Sequence, residues 1–380
     1  MSEPVSRCNV CIMDTSDPEI LFFGDLGCNH CISMKSTLGN DWFMDSKGEM
    51  KLMLMLKEIK DHGRGHKYDS ILGLSGGADS SYLALKAFDW GLRPLVVHVD
   101  AGWNSELAVS NIQSVLDFTG WDLYTKVVNW NEMADLQRAY LSSGVSNQDV
   151  PQDHAFFSAL YRFAIENRIK YVLNGGNTST EGIFPRAWHG AAMDSRNLKA
   201  IHRKFGSLKL YDYQTVSFLE YYFKFPILKG IRPVRPLNLI PYNKKNAIKE
   251  LEARIGYKKY PNKHGESVFT RFFQDYYLID RFGYDKRIPH FSSLIVSGQM
   301  SRDEALTELE QPLYSDGALE RDIDYLCRKL NLSRTEFEII LNAPRHNSSE
   351  FRNWNLQYSL MKKMQKTLEK MSGKTLKRFS

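Results

Sequence analysis

The chain has 380 residues, of which 43% are hydrophobic and 25% are charged, so it is long enough for two domains with a full core. It has no apolar run as long as a membrane-spanning helix and no signal-peptide pattern at its N-terminus, so we expect a cytoplasmic protein without a membrane span. The net charge of +6 is modest and the basic residues are spread out, which argues against a nucleic-acid partner.

The N-terminal segment carries two closely spaced cysteine pairs. Cys8 and Cys11 form the first pair, and Cys28 and Cys31 form the second. This spacing is typical of a zinc ribbon, in which four thiolates surround one metal ion. A reducing cytosol argues against two disulfides, whereas an iron–sulfur group stays open as an alternative. Because four thiolates leave no position for a reacting water, we predict a structural Zn²⁺ site in a knuckle over residues 1–45.

After the knuckle, predicted helices and strands alternate as a parallel α/β sheet requires. The predicted helices cover residues 49–61, 80–90, 104–119, 152–167 and 243–255, and the predicted strands cover 70–74, 95–99, 123–128 and 171–173. Ligands of open parallel sheets bind beyond the carboxyl ends of the strands. The loops that begin at Ser75, Asp100 and Asn174 should therefore meet around one nucleotide.

The loop after the first predicted strand is a candidate phosphate site. Its two glycines can take backbone angles closed to other residues, so that successive N–H groups converge on one anion, and its serines add hydroxyl donors. The helix that begins near Asp79 directs its positive end to the same place. The loop lacks the Lys-Ser/Thr pair of a Walker A motif and the glycine spacing of a dinucleotide site. The predicted nucleotide-binding residues of this loop are Ser75, Gly76, Gly77, Ala78, Asp79, Ser80 and Ser81.

A second glycine pair follows the fourth predicted strand. Gly175 and Gly176, with Asn177 and Glu181, should lie opposite the first loop and face the phosphates or an activated carbonyl, although an ordinary turn is the alternative.

Two acidic side chains that follow predicted strands are candidate magnesium ligands. Asp79 and Asp100 can help to hold Mg²⁺, which prefers carboxylate and phosphate oxygens. The alternative for both residues is a solvated helix-capping role.

Several separate motifs carry a resemblance to known enzymes. The loop 75–80, Ser-Gly-Gly-Ala-Asp-Ser, resembles the SGGxDS loop of the PP-loop ATP pyrophosphatases. Together with the cysteine knuckle, the turn 100–105 and the segment 263–272, it resembles the N-acetyl sugar amidotransferases of the WbpG and PseA kind, over residues 7 to about 310. The resemblance implies a HUP-like PP-loop domain over residues 46–260. A helical region over 261–380 would then complete the active site and offer a docking surface for a partner.

The resemblance also implies a reaction. ATP would adenylylate the acetamido oxygen of an N-acetyl sugar, which we expect to be nucleotide-linked, and ammonia would then replace that oxygen. The products would be an acetamidino sugar, AMP and pyrophosphate, formed in the biosynthesis of a bacterial surface polysaccharide or flagellin glycan. The predicted catalytic residues are Asp79, Lys263, Arg271, Lys286 and Arg287, the last four as cations for the leaving pyrophosphate. A surface charge without catalytic function is the alternative for each cation.

The source of ammonia is inferred from the cysteines. Cys327, the one cysteine outside the metal set, fits a buried position on a C-terminal helix better than the strained turn of a glutaminase nucleophile. We therefore expect a separate glutaminase, and the resemblance implies that it pairs with a cyclase-like subunit that channels ammonia. Two other functions stay open, a PP-loop tRNA thiolase and a non-enzymatic zinc-ribbon adapter.

Overall fold

The computed structural model describes residues 5–190, 192–260 and 265–372. The strands are β1 (Ser70–Gly73), β2 (Pro94–Asp100), β3 (Leu123–Val127), β4 (Tyr171–Leu173) and β5 (Arg232–Val234). The helices up to β5 are α1 (Asn29–Asp41), α2 (Ser46–His62), α3 (Ala78–Asp89), α4 (Glu106–Thr119), α5 (Trp130–Ser143), α6 (Val150–Glu166), α7 (Thr178–Glu181) and α8 (Ser195–Phe205), followed by a π-helical segment over Glu220–Leu228. The later helices are α9 (Lys244–Ile255), α10 (Val268–Phe272), α11 (Leu278–Phe282), α12 (Arg287–Val296), α13 (Arg302–Leu309), α14 (Ala318–Leu330), α15 (Arg334–Asn342) and α16 (Asn355–Ser372).

All strand pairs of the sheet are parallel, in the order β3-β2-β1-β4-β5. The four predicted strands are present with ends that differ by at most one residue, so the prediction of a parallel α/β sheet is confirmed. β5 was not predicted, because it is only three residues long and contains Pro233, which a strand tolerates at the edge of a sheet. The chain proceeds from β1 to β2 on one side and reaches β4 on the other, which leaves a crevice at the carboxyl ends of β1 and β4.

The sheet is covered on both faces, because successive side chains of a strand point to opposite sides. Leu72 and Val96 face a cluster formed with α3, α4 and α9. Ile71 and Val97 face the opposite cluster, which includes Leu160 of α6. This double coverage explains why the central strands are continuous apolar runs.

The N-terminal knuckle packs against the C-terminal helices. Met13 and the cysteines share a buried cluster with Ile288 of α12 and Ala305 of α13. The backbone N–H of Ile12 donates a hydrogen bond to Ser292 Oγ at 3.2 Å. The helical character of the C-terminal region is confirmed, while the predicted domain limits of 1–45, 46–260 and 261–380 stay predictions. In the described part of the chain, no helix combines the length and the apolarity needed to cross a bilayer.

Candidate active site

A cavity of about 790 Å³ opens at the carboxyl ends of β1 and β4. Its walls come from the loops after these two strands and from α6, α9, α10 and α12. The volume lies within the range of roughly 300–1,000 Å³ that small-molecule sites occupy. The cavity is therefore large enough for a nucleotide beside a second substrate.

The loop after β1 forms one end of the cavity. Gly76 has a φ of +80°, a backbone conformation that favours glycine. Its carbonyl oxygen accepts a hydrogen bond from the Tyr260 hydroxyl at 3.0 Å. Gly77 has an ordinary extended conformation with a φ of −72°, so the special backbone angles expected at both glycines occur only at Gly76.

The serine hydroxyls hold this loop in shape. Ser75 Oγ lies 3.2 Å from Ser80 Oγ and accepts a hydrogen bond from the Gly77 N–H at 3.2 Å. Ser80 Oγ donates in turn to the Gly77 carbonyl at 3.1 Å. Ser81 is fully buried and does not line the cavity, whereas Ala78 and Ser80 do.

The N-terminus of α3 opens directly onto the cavity. Its N-cap residue is Gly77, so no side chain caps the first N–H groups of the helix. These donors and the positive end of the helix dipole favour an anion at this position. The arrangement is suited to phosphate.

Asp79 lies in the first turn of α3 with its carboxylate held by residues around α9. The Tyr242 hydroxyl donates a hydrogen bond to Asp79 Oδ1, and Lys244 Nζ lies 3.7 Å from Oδ2. Burial and the adjacent carboxylate raise the pKa of Tyr242, so the phenol stays protonated and acts as the donor. Asp79 and Lys244 both line the cavity.

The loop after β4 meets the loop after β1. A Cβ atom on Gly175 would lie 3.1 Å from the carbonyl oxygen of Asp79, so the two backbones are in contact. Gly175, Gly176 and Glu181 line the cavity. Asn177 is buried and its side chain caps α7 by accepting from the Thr180 N–H at 3.0 Å.

Asp100 is oriented away from the cavity. Its Oδ1 accepts hydrogen bonds from the Gly102 N–H at 2.8 Å and from Asn104 Nδ2 at 3.1 Å. Asp100 is not among the lining residues, although Asn104 is. The carboxylate thus stabilises the turn after β2.

Lys286 lies in the cavity wall opposite the glycine loops. Its Nζ donates a hydrogen bond to His189 Nε2 at 2.9 Å, and the His189 ring stacks on Phe184 at 3.5 Å. Burial, together with the charge of Lys286, lowers the pKa of His189. The imidazole is therefore neutral and acts as the acceptor, which positions the ammonium group of Lys286.

The other predicted cations have different surroundings. Arg287 lines the cavity, and its guanidinium contacts Asp285 at 2.7 Å and the Gln311 carbonyl at 2.7 Å. Arg271 forms a two-bond pair with Asp322, at 2.8 and 2.6 Å, and is not a lining residue. Lys263 lies outside the described residues. The cavity lining adds three lysines that the sequence analysis did not select, Lys244, Lys245 and Lys259.

Asp149 and Asp153 are among the acidic residues of the cavity wall that were missed. Asp149 precedes α6 and Asp153 lies one turn later. Asp149 Oδ1 accepts hydrogen bonds from Gln152 Nε2 at 2.8 Å and from Thr270 Oγ1 at 3.1 Å. Burial raises the pKa of the Asp149 carboxyl group, and the charge of Asp153 raises it further, whereas the Asp153 side chain is exposed to the cavity. The sequence feature that could have identified them is a pair of acidic residues four positions apart at the N-terminus of a helix.

The four N-terminal cysteines converge as predicted. Their Sγ atoms all lie within 4.8 Å of one another, with Cys8–Cys31 at 3.9 Å and Cys11–Cys28 at 3.8 Å. A tetrahedron with Zn–S bonds of about 2.3 Å has edges of about 3.8 Å, so the geometry fits zinc. Arg302 donates to the backbone carbonyls of Cys8 and Cys11, at 3.3 and 3.2 Å.

Cys327 lies on α14 in a buried cluster with Phe272 and Phe337. Burial raises the pKa of its thiol. Among the described residues that line the cavity there is no cysteine.

Residues 266–365 match the family described as LPS biosynthesis protein WbpG-like, C-terminal domain. No curated protein matches the chain. Among solved structures, the NMN synthetase of Francisella tularensis is similar at 14% identity and a TM-score of 0.30, covering 76% of this chain and 98% of that chain, a likeness too distant to indicate function. The matched region begins at Glu266 and contributes Thr270, Lys286 and Arg287 to the cavity wall. The match over residues 266–365 supports the resemblance to the WbpG-like family that the sequence motifs indicated.

Proposed function

We propose that the protein is an ATP-dependent, AMP-forming amidotransferase that converts the acetamido group of an N-acetyl sugar into an acetamidino group. The observation that carries the proposal is the uncapped N-terminus of α3, which opens with the Ser75–Ser80 loop onto a cavity of about 790 Å³. A PP-loop ATP pyrophosphatase needs such a phosphate site beside room for a second substrate.

The first step is adenylylation. The acetamido oxygen attacks the α-phosphorus of ATP, the bond from that phosphorus to the bridging oxygen breaks, and pyrophosphate leaves. The glycine loop and the first N–H groups of α3 bind the departing phosphates. Lys244 and Lys286, which line the cavity from different walls, offset the charge that develops on them.

The second step replaces the activated oxygen. Ammonia adds to the carbon of the adenylylated amide, a proton leaves the new nitrogen, and the C–O bond breaks to release AMP. Asp153 is a suitable proton acceptor because it lines the cavity and its carboxylate is exposed there to the reacting groups. Asp149, one turn before it, also lines the cavity and accepts a hydrogen bond from Gln152 Nε2 at 2.8 Å.

Two metal ions are part of the proposal. Asp79 and Glu181 are the carboxylates beside the two glycine loops that would hold Mg²⁺, which supplies charge neutralisation at the phosphates. Zn²⁺ would bind Cys8, Cys11, Cys28 and Cys31 as a structural ion, because four thiolates complete its coordination.

We propose a separate glutaminase as the ammonia source, paired with a channel-forming, cyclase-like subunit. Cys327 is buried among aromatic residues and the other four cysteines form the metal cluster, so none of them has the environment of a glutaminase nucleophile. The sugar substrate is expected to be nucleotide-linked.

The test is to incubate the purified protein with ATP, Mg²⁺, an ammonium salt and a panel of free and nucleotide-linked acetamido sugars. We expect AMP release together with a product whose mass reports the replacement of oxygen by an imino group. The matched control is the same sugars without the acetamido group, which should release no AMP. AMP release that depends on tRNA would instead favour the thiolase, and no ATP turnover with any sugar would favour the adapter.

A further inference from the structure

Helix α16 exposes a continuous apolar stripe. Leu356, Leu360, Met364, Leu368 and Met371 are between 52% and 80% exposed. Their spacings of four, four, four and three residues place them within an arc of roughly 120° of one helix face. Leaving such a stripe in water is unfavourable, so this face of α16 is suited to binding another surface.

The neighbouring face of α16 is basic. Lys362, Lys363, Lys366 and Lys370 occupy an arc of roughly 100° beside the apolar stripe, and all four are exposed. With Glu369 as the one acidic residue, α16 has a net charge of +3. An apolar stripe flanked by lysines is typical of helices that lie in a membrane interface.

The third side of α16 packs on the body of the protein. Tyr358 contacts Tyr222 of the π-helical segment at a ring distance of 5.9 Å. Tyr222 also contacts Trp354, just before α16, at 6.2 Å. Met361, on the same side, is half-buried. The contact fixes the helix while the apolar stripe and the lysines stay accessible.

Self-association of this helix is disfavoured by its charge. Two copies that paired through the apolar stripe would bring Lys363 and Lys370, which border it, close to their counterparts, and Glu369 alone cannot compensate both. An anionic surface, in contrast, attracts every lysine of the polar face while its interior accepts the leucines and methionines.

We propose that α16 binds the surface of an anionic phospholipid bilayer, lying parallel to the membrane plane. The helix is about 27 Å long and its apolar face would enter the bilayer by about 5–10 Å, so it lies on the membrane without crossing it. Binding combines burial of the apolar stripe with attraction of the four lysines to anionic headgroups. This proposal does not depend on the reaction proposed above.

The test is co-sedimentation of the full chain with vesicles of phosphatidylcholine alone or mixed with phosphatidylglycerol. We expect binding only to the anionic vesicles, and weaker binding as NaCl is raised. The charge reversal Lys362→Glu/Lys363→Glu/Lys366→Glu should weaken binding by about tenfold or more. The apolar variant Leu360→Ser/Met364→Ser/Leu368→Ser should weaken it to a similar degree. All six side chains are exposed, so both variants should keep the fold, which the thermal unfolding midpoint verifies.

The matched control is on α2, where Met50, Met53 and Leu54 are also exposed. This helix has four basic lysines against three acidic residues, so its charge is nearly balanced. Changing the three apolar residues to serine should leave vesicle binding unchanged. Equal loss in this variant, or equal binding to uncharged vesicles, would overturn the proposal. A dimer in solution that the α16 apolar variant dissociates would also overturn it, because a second copy would then cover the stripe.

Discussion

Gly76 and Ala108 are in direct backbone contact, since a Cβ atom on Gly76 would lie 2.6 Å from the carbonyl oxygen of Ala108. The contact joins the loop after β1 to helix α4. Glycine at position 76 is therefore required by the fold. Glycine at position 77 would instead be required by a bound ligand.

Gly76→Ala should lower the free energy of unfolding by about 2 kcal/mol or more, because it combines a positive φ with a clash against backbone. Urea unfolding measures the change. Gly77→Ala is the matched control, since its φ is ordinary and its new Cβ would meet only side-chain atoms of Ser75 and Glu266, at 3.2 and 3.3 Å. Equal destabilisation by both changes would contradict this distinction.

Gly77→Val should abolish AMP formation without unfolding the protein, because the branched side chain would fill the mouth of the proposed phosphate loop. Asp79→Ala should also abolish AMP formation without unfolding the protein, because it removes a carboxylate that would hold Mg²⁺. Tyr242→Phe is the comparison for Asp79→Ala, since it removes only the hydroxyl that donates to Asp79 and should cause a smaller loss. AMP release in the presence of ammonium and sugar is measured for all three, and zinc content should stay constant. Full turnover in Gly77→Val or Asp79→Ala would place the phosphate site elsewhere.

Asp153→Asn should lower the rate of amidine formation by roughly 100-fold or more, because the ammonia nitrogen would lose its proton acceptor. The rate of the unmodified enzyme should rise with pH as the Asp153 carboxyl group loses its proton. The pH–rate profile checks the assignment. An unchanged profile in Asp153→Asn would exclude this residue as the base.

Asp149→Asn should change the pH dependence of stability. Burial and the neighbouring Asp153 raise the pKa of Asp149 to about 8, above the value of about 3.9 for an unfolded chain. The folded state therefore holds a proton that the unfolded state releases, and this contribution to stability is lost as pH rises towards 8. Asparagine has no such proton, so the melting temperature of the variant relative to the parent should increase between about pH 5 and about pH 9. A constant difference would show that Asp149 is ionised throughout.

Serine in place of any one of Cys8, Cys11, Cys28 or Cys31 should remove one zinc per chain and lower the melting temperature. The loss should also loosen α12 and α13, because Ser292 and Arg302 bind the backbone of the knuckle. Elemental analysis and hydrogen exchange over residues 287–309 measure both effects. Finding iron and acid-labile sulfide in the parent protein would contradict the zinc assignment and indicate an iron–sulfur cluster.

The isolated chain should form product with ammonium but not with glutamine. It should use glutamine as a nitrogen source only when a separate glutaminase is added. Cys327→Ala should leave ammonium-dependent activity unchanged, because the thiol is buried on α14 away from the cavity. Glutamine use by the chain alone, lost in Cys327→Ala, would identify a glutaminase site there.

The sequence predicted those features whose cause is local. Each central strand is a short apolar run, and the cysteine pairs have metal spacing, so the sheet and the four-sulfur cluster were both anticipated. Asp149 was missed because its surroundings come from far along the chain, as in the hydrogen bond that Thr270 of α10 donates to its carboxylate from 121 positions away. The partner of Arg271 was missed for the same reason, since Asp322 lies 51 residues away.

The bond between Arg302 and Cys11 joins residues 291 positions apart, which has a consequence for synthesis of the chain. At a translation rate of about 5–20 residues per second, the knuckle leaves the ribosome roughly 15–60 seconds before α13 does. During that interval the cysteine cluster lacks Ile288 and Ala305, which α12 and α13 supply. Early zinc binding would protect the four thiols from oxidation and the knuckle from misfolding until α12 and α13 have been synthesised. Ribosome-bound chains that end shortly before Arg302 should therefore already bind zinc, and a metal-free knuckle in such chains would place metal loading after release.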